Sequence, residues 1–549
     1  MKRMRIQGMT CEGCNETVAE ALTAAGATEV RADFETGQAT FAAGVAPEAS
    51  LTSAVEQAGY RVVGIEEAED PLTGPDHRRG PAQRSEYDLL IVGSGAAAFA
   101  AGIRARDLGA SVALCEANTI GGTCVNIGCV PSKAMLAAAD AYHRAGESPF
   151  PGAPTSSGPL DLASLVRAKD ELVNEMRAEK YEHLADEYGF TLLCGRGRFT
   201  GPEGFLCEGK EIRAGQYLIA TGASPSVPPI PGLEESGYLT STTALELKDQ
   251  PESIVVIGAN AIGLEVGQLF LHLGSLVTFL EALPRIAPFE EPEVSEALAK
   301  VLRDEGAEVH PGVKISRVEL DGGERRAVVF ERDGTEERIE AERILVATGR
   351  RPNTRGLGLE AAGVELTDRG AVKVDEFTGT TNPRIWAAGD VTGVPQFVYV
   401  AAAQGSVAAD NAIGRAGRSI DWTALPRVTF TSPQIASVGM TSDEAEKSGH
   451  RVEFRVLDLS AVPRALVNRD TRGLVKLVAD EESGRILGVH MLADGAGEVI
   501  LAGVYAVKKG MTVTEVAETW APYLTMAEGI KLVAQTFTRD VSKLSCCAA

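Results

Sequence analysis

Two segments of the same kind constrain this chain more than any other feature. In each, a short apolar strand runs into a glycine turn and then into a helix. They occupy residues 88–98 (DLLIVGSGAAA) and 254–265 (IVVIGANAIGLE). In such a turn the backbone N–H groups at the start of the helix face a pyrophosphate, and the glycines let it approach. The sequence therefore predicts an α/β protein with two Rossmann-like dinucleotide-binding domains.

The first turn carries the small residues that this geometry needs. Gly93 permits the turn, Gly95 lets a pyrophosphate approach, and Ala98 is small enough for the helix to pack on the strand. The next predicted strand, residues 111–114, leads to Glu116, a carboxylate placed to accept a hydrogen bond from a ribose hydroxyl. A glycine turn alone is a weak signal, whereas a turn followed by this acid and then by two closely spaced cysteines is a strong one.

The second turn departs from the pattern at its middle position. Gly258 and Gly263 are retained, but Asn260 replaces the glycine between them, and asparagine tolerates a positive φ better than most residues. The following predicted strand ends at Glu281. Its carboxylate would accept from the 2′-hydroxyl of NAD and repel a 2′-phosphate, so we expect a nicotinamide site that favours NADH.

Residues 121–133 (GGTCVNIGCVPSK) place two cysteines five positions apart, shortly after the first dinucleotide segment. Cys124 and Cys129 can cycle between dithiol and disulfide if the backbone brings their Cβ atoms within about 4 Å, and a helix beginning here would favour a thiolate. The alternative is a pair of buried structural cysteines. The segment closely resembles the active-site segment of the pyridine nucleotide-disulfide oxidoreductases, the family of lipoamide dehydrogenase, glutathione reductase and mercuric reductase.

This resemblance implies a flavoenzyme. It assigns FAD to the first dinucleotide site and an ion pair of Lys133 and Glu265 to a position beside the flavin ring. It also implies that Cys124 faces the substrate and that Cys129 contacts the flavin. The implied FAD contacts lie in the redox segment and in residues 220–222 (ATG) and 386–390 (WAAGD): Gly122, Thr123, Lys133, Thr221, Gly222 and Asp390.

The first 67 residues have the pattern of a separate βαββαβ domain of the ferredoxin-like type. Cys11 and Cys14 lie in its GMTCEGC segment. Two thiolates at a loop-to-helix junction can bind a soft cation linearly, and the helix N-terminus lowers their pKa. A structural zinc site would need four ligands, and a purely redox pair stays open as an alternative. The segment resembles the heavy-metal-associated domain of soft-metal chaperones and metal-transporting ATPases.

The composition of the chain limits which partners and which cellular location we expect. The net charge of −23 argues against nucleic acids and anionic membranes as partners. No apolar run reaches the roughly 18 residues of a membrane span, and the N-terminus lacks the apolar stretch of a signal peptide. We expect a cytoplasmic protein, in which nine cysteines indicate metal or redox chemistry. Cys115, Cys194 and Cys207 stand apart from the close pairs and are expected in the core.

The length of 549 residues calls for several domains. We predict a heavy-metal-associated domain at 1–67, a flexible linker at 68–86, an FAD domain at 87–235 and 375–424, an NAD(P)H domain at 236–374, and a dimerisation domain with a cysteine tail at 425–549.

The predicted dimerisation domain differs in sequence from that of the disulfide reductases in the family. Disulfide reductases of the family carry a His-Pro segment here, whose histidine protonates a leaving thiol, but residues 521–528 (APYLTMAE) lack it. Tyr523 and Tyr181 match active-site tyrosines of the mercuric reductases, and Cys546 and Cys547 lie side by side near the C-terminus. The resemblance to that branch of the family spans essentially the whole chain.

The resemblance implies that NAD(P)H reduces FAD, that FAD reduces the Cys124–Cys129 disulfide, and that a second hydride converts Hg(II) to elemental mercury. The two outer cysteine pairs would capture the ion or its thiol complexes and pass it inward by ligand exchange. In relatives the tail reaches the active site of the other subunit, so the resemblance implies a homodimer in which each site is built from two chains. Two alternatives remain: a disulfide or quinone reductase with an added metal-binding domain, and a metal buffer with a vestigial flavin unit.

Overall fold

The computed structural model describes residues 2–7, 12–33, 37–42, 47–67, 85–146, 148–320 and 325–540. The chain divides into two units, Met1–Arg84 and Ser85–Ala549. Most of the predicted linker, together with Cys11, Cys546 and Cys547, lies outside the described residues. Among the helices of these ranges, none combines the length and apolar character that crossing a membrane requires.

The first unit is an antiparallel sheet with two helices, in the strand order β2-β3-β1-β4. Its core gathers Met4, Val18, Phe41 and Leu51, so that both helices and the central strands contribute apolar side chains. The predicted βαββαβ order is confirmed: β1 Lys2–Gln7, α1 Glu12–Ala24, β2 Thr28–Asp33, β3 Gln38–Ala42, α2 Glu48–Gln57 and β4 Arg61–Glu67.

The second unit begins with the first dinucleotide segment. Its apolar run forms a buried strand, and the alanine-rich stretch after the turn forms a helix. A π-helical turn, Ala178–Glu182, interrupts one long helix of this region. The elements are β5 Tyr87–Val92, α3 Ala96–Asp107, β6 Val112–Glu116, α4 Gly122–Asn126, α5 Cys129–Gly146, α6 Leu162–Arg177, α7 His183–Glu187, β7 Thr191–Cys194, β8 Gly197–Phe199, β9 Phe205–Cys207, β10 Lys210–Ile212, β11 Ala214–Ile219, β12 Ala223–Pro225 and α8 Ser241–Ala244.

The second dinucleotide segment builds a parallel sheet of order β15-β14-β13-β19 beside a three-stranded meander, β16-β17-β18. Strand β20 pairs antiparallel with β12, so the two places where the chain passes between the sheets lie side by side. The elements are β13 Ser253–Ile257, α9 Ala261–His272, β14 Leu276–Glu281, α10 Pro292–Asp304, β15 Glu308–Pro311, β16 Lys314–Leu320, β17 Arg326–Arg332, β18 Thr335–Ala341, β19 Arg343–Val346 and β20 Arg350–Pro352.

The chain then returns to the first sheet. Strand β21, Ile385–Ala387, completes the parallel order β21-β11-β5-β6-β7, and α11, Val398–Ala412, packs on α3. An antiparallel sheet of order β22-β23-β26-β25-β24 follows. Its elements are β22 Pro426–Thr429, β23 Gln434–Gly439, α12 Ser442–Lys447, β24 Val452–Asp458, α13 Pro463–Asn468, β25 Leu474–Asp480, β26 Ile486–Ala493, α14 Ala496–Lys508, α15 Val513–Glu518 and α16 Glu528–Gln535.

One apolar core holds the helix that follows the redox segment. Met135 of α5 and Val166 of α6 belong to the same buried cluster as Phe279 of β14 and Leu492 of β26. Burial of such side chains contributes roughly 1.5–3 kcal/mol each. Helix α5, which begins at Cys129, is therefore fixed against both the second and the last sheet.

Candidate active site

The two cysteines of the redox segment lie where two helices meet. Cys124 belongs to α4 and is half-buried, and Cys129 is the exposed first residue of α5. A hydrogen bond from the Cys124 thiol, assisted by the nearby charge of Lys133, lowers the pKa of Cys129 to about 6. That same hydrogen bond, together with burial, raises the pKa of Cys124. At neutral pH the reduced pair therefore holds its proton on Cys124 and presents a thiolate at Cys129.

A side-chain amide between the two cysteines shapes their loop. Asn126 donates from Nδ2 to the carbonyl oxygens of Ile120, at 2.8 Å, and Gly122, at 2.9 Å. Its Oδ1 accepts from Nη1 of Arg177 at 3.1 Å. Sequence reasoning missed both residues. The asparagine had a signal, since it lies inside the cysteine spacing, but nothing in the local sequence marks Arg177.

An ion pair predicted from the sequence forms next to these thiols. Nζ of Lys133 lies 2.7 Å from Oε2 of Glu265, whose side chain is buried. The other carboxylate oxygen accepts from the backbone N–H of Phe430 at 2.9 Å, and the ammonium lies 4.5 Å from the centroid of that phenyl ring. Phe430, which the sequence did not single out, thus completes a contact among α5, α9 and the residue after β22.

One glycine of the first turn and one glycine of the redox segment leave no room for a side chain. Gly93 has φ of +113°, and a Cβ there would lie 2.4 Å from the carbonyl oxygen of Ala220. Gly122 has φ of +64°, and its Cβ would lie 2.6 Å from Cα of Gly95. Ala98 is fully buried in α3, and Thr123 lies in α4 directly after Gly122. The turn and the redox segment thus face each other with bare backbone, which is a cradle for a flat or phosphorylated ligand.

The acid after the second strand is oriented by its neighbours. Oε2 of Glu116 accepts from the hydroxyl of Ser94 at 2.6 Å, and Oε1 accepts from the backbone N–H of Asn118 at 2.7 Å. The Ser94 hydroxyl in turn accepts from the N–H of Gly121 at 3.2 Å. Ser94, the residue between the two turn glycines, therefore links the turn, the acid and the redox segment, a role that its polar side chain in an apolar segment could have signalled.

Asn353 forms hydrogen bonds between the two segments in which the chain passes between the first and second sheets. The Thr221 hydroxyl donates to the carbonyl of Asn353 at 2.8 Å, and Nδ2 of Asn353 donates back to the carbonyl of Thr221 at 2.9 Å. The carbonyl of Gly222 accepts from the Asn353 N–H. Asp390 begins the turn after β21 and lies 4.0 Å from Arg350. Burial raises the pKa of Asp390 and lowers that of Arg350.

The second turn corrects one sequence argument. Asn260 has φ of −104° and ψ of −173°, close to Gly95 at −80° and −167°, so its tolerance of positive φ plays no part. Gly258 does adopt φ of +97°, and a Cβ on Gly263 would lie 1.9 Å from the Gly258 carbonyl oxygen. Asparagine fits the middle position because the backbone there is extended, which any residue can adopt.

The acid of this second turn is buried and ordered. Oε2 of Glu281 accepts from the N–H of Ala259 at 2.7 Å, and Oε1 accepts from the N–H of Leu283 at 2.9 Å. The carboxylate therefore stands at the end of β14, directly against the glycine turn. This is the position that a ribose-binding acid takes in a dinucleotide fold.

The two predicted tyrosines differ in their surroundings. Tyr181 lies in the π-helical turn, with its ring edge-on to Phe99 at a centroid distance of 4.8 Å. Burial, and then the charges of Cys124 and Cys129, raise the pKa of Tyr181, so the structure brings it to the thiols. Tyr523 lies in the loop between α15 and α16, and 48% of it is exposed in the single chain.

The remaining cysteines partly contradict the sequence expectations. Cys14 is buried in the core of the first unit. Cys115 and Cys207 are buried in the core of the first sheet, as predicted, and their Sγ atoms lie 3.2 Å apart. Cys194 was expected in the core but is exposed, because β7 lies at the edge of its sheet and turns this side chain outwards.

Comparison with known proteins identifies the family. The pyridine nucleotide-disulphide oxidoreductase family matches residues 87–405, its dimerisation domain matches residues 425–534, and the heavy-metal-associated domain matches residues 3–61. The mercuric reductase of Staphylococcus aureus is 48% identical over 546 residues, covering 100% of this chain and 99% of the relative. The chain belongs to the mercuric reductases of the pyridine nucleotide-disulphide oxidoreductase family.

Further relatives agree with this membership. The mercuric reductase of Streptomyces lividans is 53% identical over 468 residues, which cover 84% of this chain and 98% of the relative. Among solved structures, the HOCl-induced flavoprotein disulfide reductase RclA from Escherichia coli matches with a TM-score of 0.74 and 30% identity, over 82% of this chain and 100% of its own. Family membership confirms the predicted fold class, with two dinucleotide-binding domains, a dimerisation domain and an N-terminal βαββαβ domain.

The family implies FAD and NAD(P)H, and the residues present fit both. Gly93 and Gly122 have no room for a Cβ, and together with Gly95 they leave bare backbone that a flat or phosphorylated ligand can approach. The second turn has the same backbone conformation, with Glu281 oriented at its side. Both turns feed a helix of 12 residues, whose free N–H groups suit a pyrophosphate.

Proposed function

We propose that this chain reduces Hg(II) to elemental mercury with a nicotinamide as reductant. The reaction balances as Hg²⁺ plus NAD(P)H giving Hg⁰, NAD(P)⁺ and a proton. The observation that carries the proposal is the Cys124–Cys129 pair, with its thiolate beside Lys133 and its segment against the first dinucleotide turn, in a chain that aligns end to end with mercuric reductases.

FAD, when bound, supplies two-electron transfer between a nicotinamide and the thiols. For it we assign the Gly93–Gly95 turn and Ala98, Glu116, Gly122, Thr123, Lys133, Thr221, Gly222 and Asp390. The chain's own residues set the charge around that site. Lys133 brings a positive charge next to the thiols, and the buried Glu265 fixes the ammonium at 2.7 Å. A charge held in place before the reaction stabilises developing negative charge without reorganisation cost.

The thiol pair binds the metal ion in this proposal. Cys129 is already a thiolate at neutral pH, and Cys124 holds the only proton that must leave before both sulfurs coordinate Hg(II). Soft thiolates prefer soft cations, and a two-coordinate ion suits two sulfurs from adjacent helix ends. Tyr181 lies near enough to feel the charge of both thiols, so we assign it, with Tyr523, a role in positioning the bound ion.

The outer cysteine pairs would deliver the ion. Cys11 and Cys14 are separated by two residues, and Cys546 and Cys547 are adjacent near the C-terminus. Because mercury leaves thiolates slowly by simple dissociation, exchange from pair to pair moves it without release. We further propose a cytoplasmic homodimer in which the dimerisation domain presents the tail and Tyr523 to the other subunit's thiols.

The nicotinamide preference follows from Glu281. Both of its oxygens accept backbone hydrogen bonds, so the side chain is held in place against the turn formed by Gly258, Asn260 and Gly263. A fixed carboxylate accepts from a 2′-hydroxyl and repels a 2′-phosphate. We therefore propose NADH as the preferred reductant.

The test measures oxidation of NADH and of NADPH by the purified protein, with and without mercuric chloride in excess small thiol. Wild type is compared with the Cys546→Ala/Cys547→Ala variant and with Cys194→Ala, an exposed cysteine outside the pairs. We expect mercury-dependent oxidation with release of volatile metal, weakened in the tail variant alone. Turnover of disulfides without any response to mercury would refute the proposal and favour a disulfide reductase.

A further inference from the structure

A four-residue loop contacts both members of the charged pair in the active site. This loop, residues 430–433, connects β22 to β23. The backbone N–H of Phe430 donates to Oε1 of Glu265 at 2.9 Å, and the centroid of its ring lies 4.5 Å from the Lys133 ammonium. The position of the 430–433 loop therefore affects where both charges of the pair lie.

The side chain of Gln268, in helix α9, holds this loop. Its Nε2 donates to the carbonyl oxygen of Ser432 at 2.8 Å, and its Oε1 accepts from the Ser432 N–H, also at 2.8 Å. The same Nε2 donates to Oε2 of Glu305 at 2.9 Å. Gln268 is 1% exposed, and only one orientation of its amide satisfies all three hydrogen bonds. The side chain thus pairs with Ser432 as the backbone of a neighbouring strand would.

Gln268 and the acid of the charged pair lie on one face of the same helix. Glu265 and Gln268 are three positions apart in α9, and side chains at this spacing are neighbours on a helix surface. They contact loop residues two positions apart, Phe430 and Ser432. Helix α5 adds a second attachment, since the Ser432 hydroxyl donates to Oδ1 of Asp140 at 2.8 Å. With Ser432 fixed from both helices, the N–H of Phe430 stays at Glu265.

The ammonium of the pair is the member that needs to be held. The Glu265 side chain is 7% exposed, whereas that of Lys133 is 33% exposed. The Phe430 ring attracts the ammonium and keeps water from one side of it. Without the ring, more water would surround the ammonium, and its effect on neighbouring charges would weaken. The charge of Lys133 helps to lower the pKa of Cys129, so the protonation of this thiol reports on where the ammonium lies.

We propose that Gln268 is a positioning residue for the redox site. By fixing Ser432 it places the Phe430 ring beside Lys133, and so keeps the positive charge near the redox thiols. An amide suits this task because it offers a donor and an acceptor side by side, which match the C=O and N–H of one residue. The assignment deepens the proposed function and rests on it for the role of the charged pair, but its test requires no mercury.

The test measures the alkylation rate of Cys129 against pH in the full-length, FAD-loaded protein with its redox pair in the dithiol form. Gln268→Met keeps the length of the side chain and removes both hydrogen bonds to Ser432. A fully solvated ammonium has about half the Coulomb effect of a partly shielded one, so the alkylation midpoint should rise by about half a pKa unit from about 6. In a Lys133→Met background the same substitution should shift the midpoint no further, because the charge that it positions is gone.

Asn411 of α11 offers a matched control. It is buried and holds Arg418 by the same two hydrogen bonds, since its Nδ2 donates to the carbonyl oxygen at 2.7 Å and its Oδ1 accepts from the N–H at 2.8 Å. Asn411→Leu should lower the thermal midpoint of the protein, as Gln268→Met does, because each leaves a backbone N–H and C=O without their partner. Only Gln268→Met should move the alkylation midpoint of Cys129.

Three results would overturn the proposal: an unchanged alkylation midpoint in folded Gln268→Met, an equal shift with and without Lys133, or an equal shift in Asn411→Leu. Each would leave Gln268 as a support for the loop alone. If Gln268→Met does not fold, Gln268→Asn keeps the amide but is one methylene too short, and it must raise the midpoint as well. Because no mercury is present, these results do not depend on whether the chain reduces Hg(II).

Discussion

After the Cys124 hydrogen bond, the charge of Lys133 contributes most to lowering the pKa of Cys129, and the effect of removing that charge can be calculated. Lys133 lies four positions along α5 from Cys129, a spacing that puts side chains about 5–6 Å apart. At that distance the Coulomb energy of two unit charges is roughly 0.7 kcal/mol in water and about 2.8 kcal/mol at the protein surface. Because a third of the Lys133 side chain is exposed, we take an intermediate value of about 1.4 kcal/mol, or one pKa unit.

Replacing Lys133 by methionine should therefore raise the pKa of the Cys129 thiol from about 6 to about 7, because removing a positive charge destabilises the thiolate. At pH 6.5 the thiolate fraction would fall from about three quarters to about one quarter. The alkylation rate of Cys129 in the reduced protein, followed by peptide mapping against pH, should drop about threefold at pH 6.5 and stay constant at pH 9.

Two variants check the sign and the locality of this effect. Glu265→Gln removes a negative charge that raises the pKa of Cys129, so its alkylation midpoint should move down. Lys300→Met breaks an exposed pair with Asp304 and should leave the midpoint unchanged. A midpoint that stays at about 6 in Lys133→Met would refute the electrostatic reasoning and leave hydrogen bonds, chiefly that from Cys124, as the cause of the lowered pKa.

Three further outcomes are expected. Asn126→Ala removes the hydrogen bonds that shape the redox loop and should lower the free energy of unfolding by about 1–3 kcal/mol, measured by denaturant unfolding. An unchanged unfolding midpoint would mean that the loop keeps its conformation without these hydrogen bonds. Lys476→Met leaves Glu291, 2.9 Å away and 1% exposed in its side chain, without its cation, and should cost about 3–5 kcal/mol. Lys300→Met should lower the free energy of unfolding by less than about 1 kcal/mol. Equal losses in Lys300→Met and Lys476→Met would contradict the role of burial. Glu281→Ala should lower the KM for NADPH relative to that for NADH, and an unchanged ratio would argue against this carboxylate as the selector.

Local patterns predicted much of the fold. The apolar run that begins at residue 88 predicted a strand, which is β5, Tyr87–Val92, and the strand predicted at residues 111–114 is β6, Val112–Glu116. The sequence patterns that predict these elements lie within the elements or directly beside them. Strand β23, Gln434–Gly439, was not predicted because its small and polar residues lack a strong strand preference, and its pairing with β22 and β26 decides its conformation.

Contacts between residues far apart in the chain could not be predicted from local sequence patterns. Arg177 reaches Asn126 across 51 positions, and Cys115 meets Cys207 across 92. Each of these side chains has an ordinary local setting, so only the fold reveals the pairing. The Lys133–Glu265 pair, 132 positions apart, was predicted only because the chain resembles a family that carries it.

The π-helical turn at Ala178–Glu182 allows one continuous helix to contribute side chains to two apolar cores. Helix α6, this turn and α7 run without a break, yet Leu162 and Val166 join the cluster around the second sheet, whereas Tyr181 and Ala185 join the one around α3. A π turn accommodates one extra residue, and one residue of an α-helix corresponds to about 100° of rotation. The extra residue thus shifts the helical phase part-way along, so that a single helix presents apolar stripes in two directions and aims Tyr181 at the thiols.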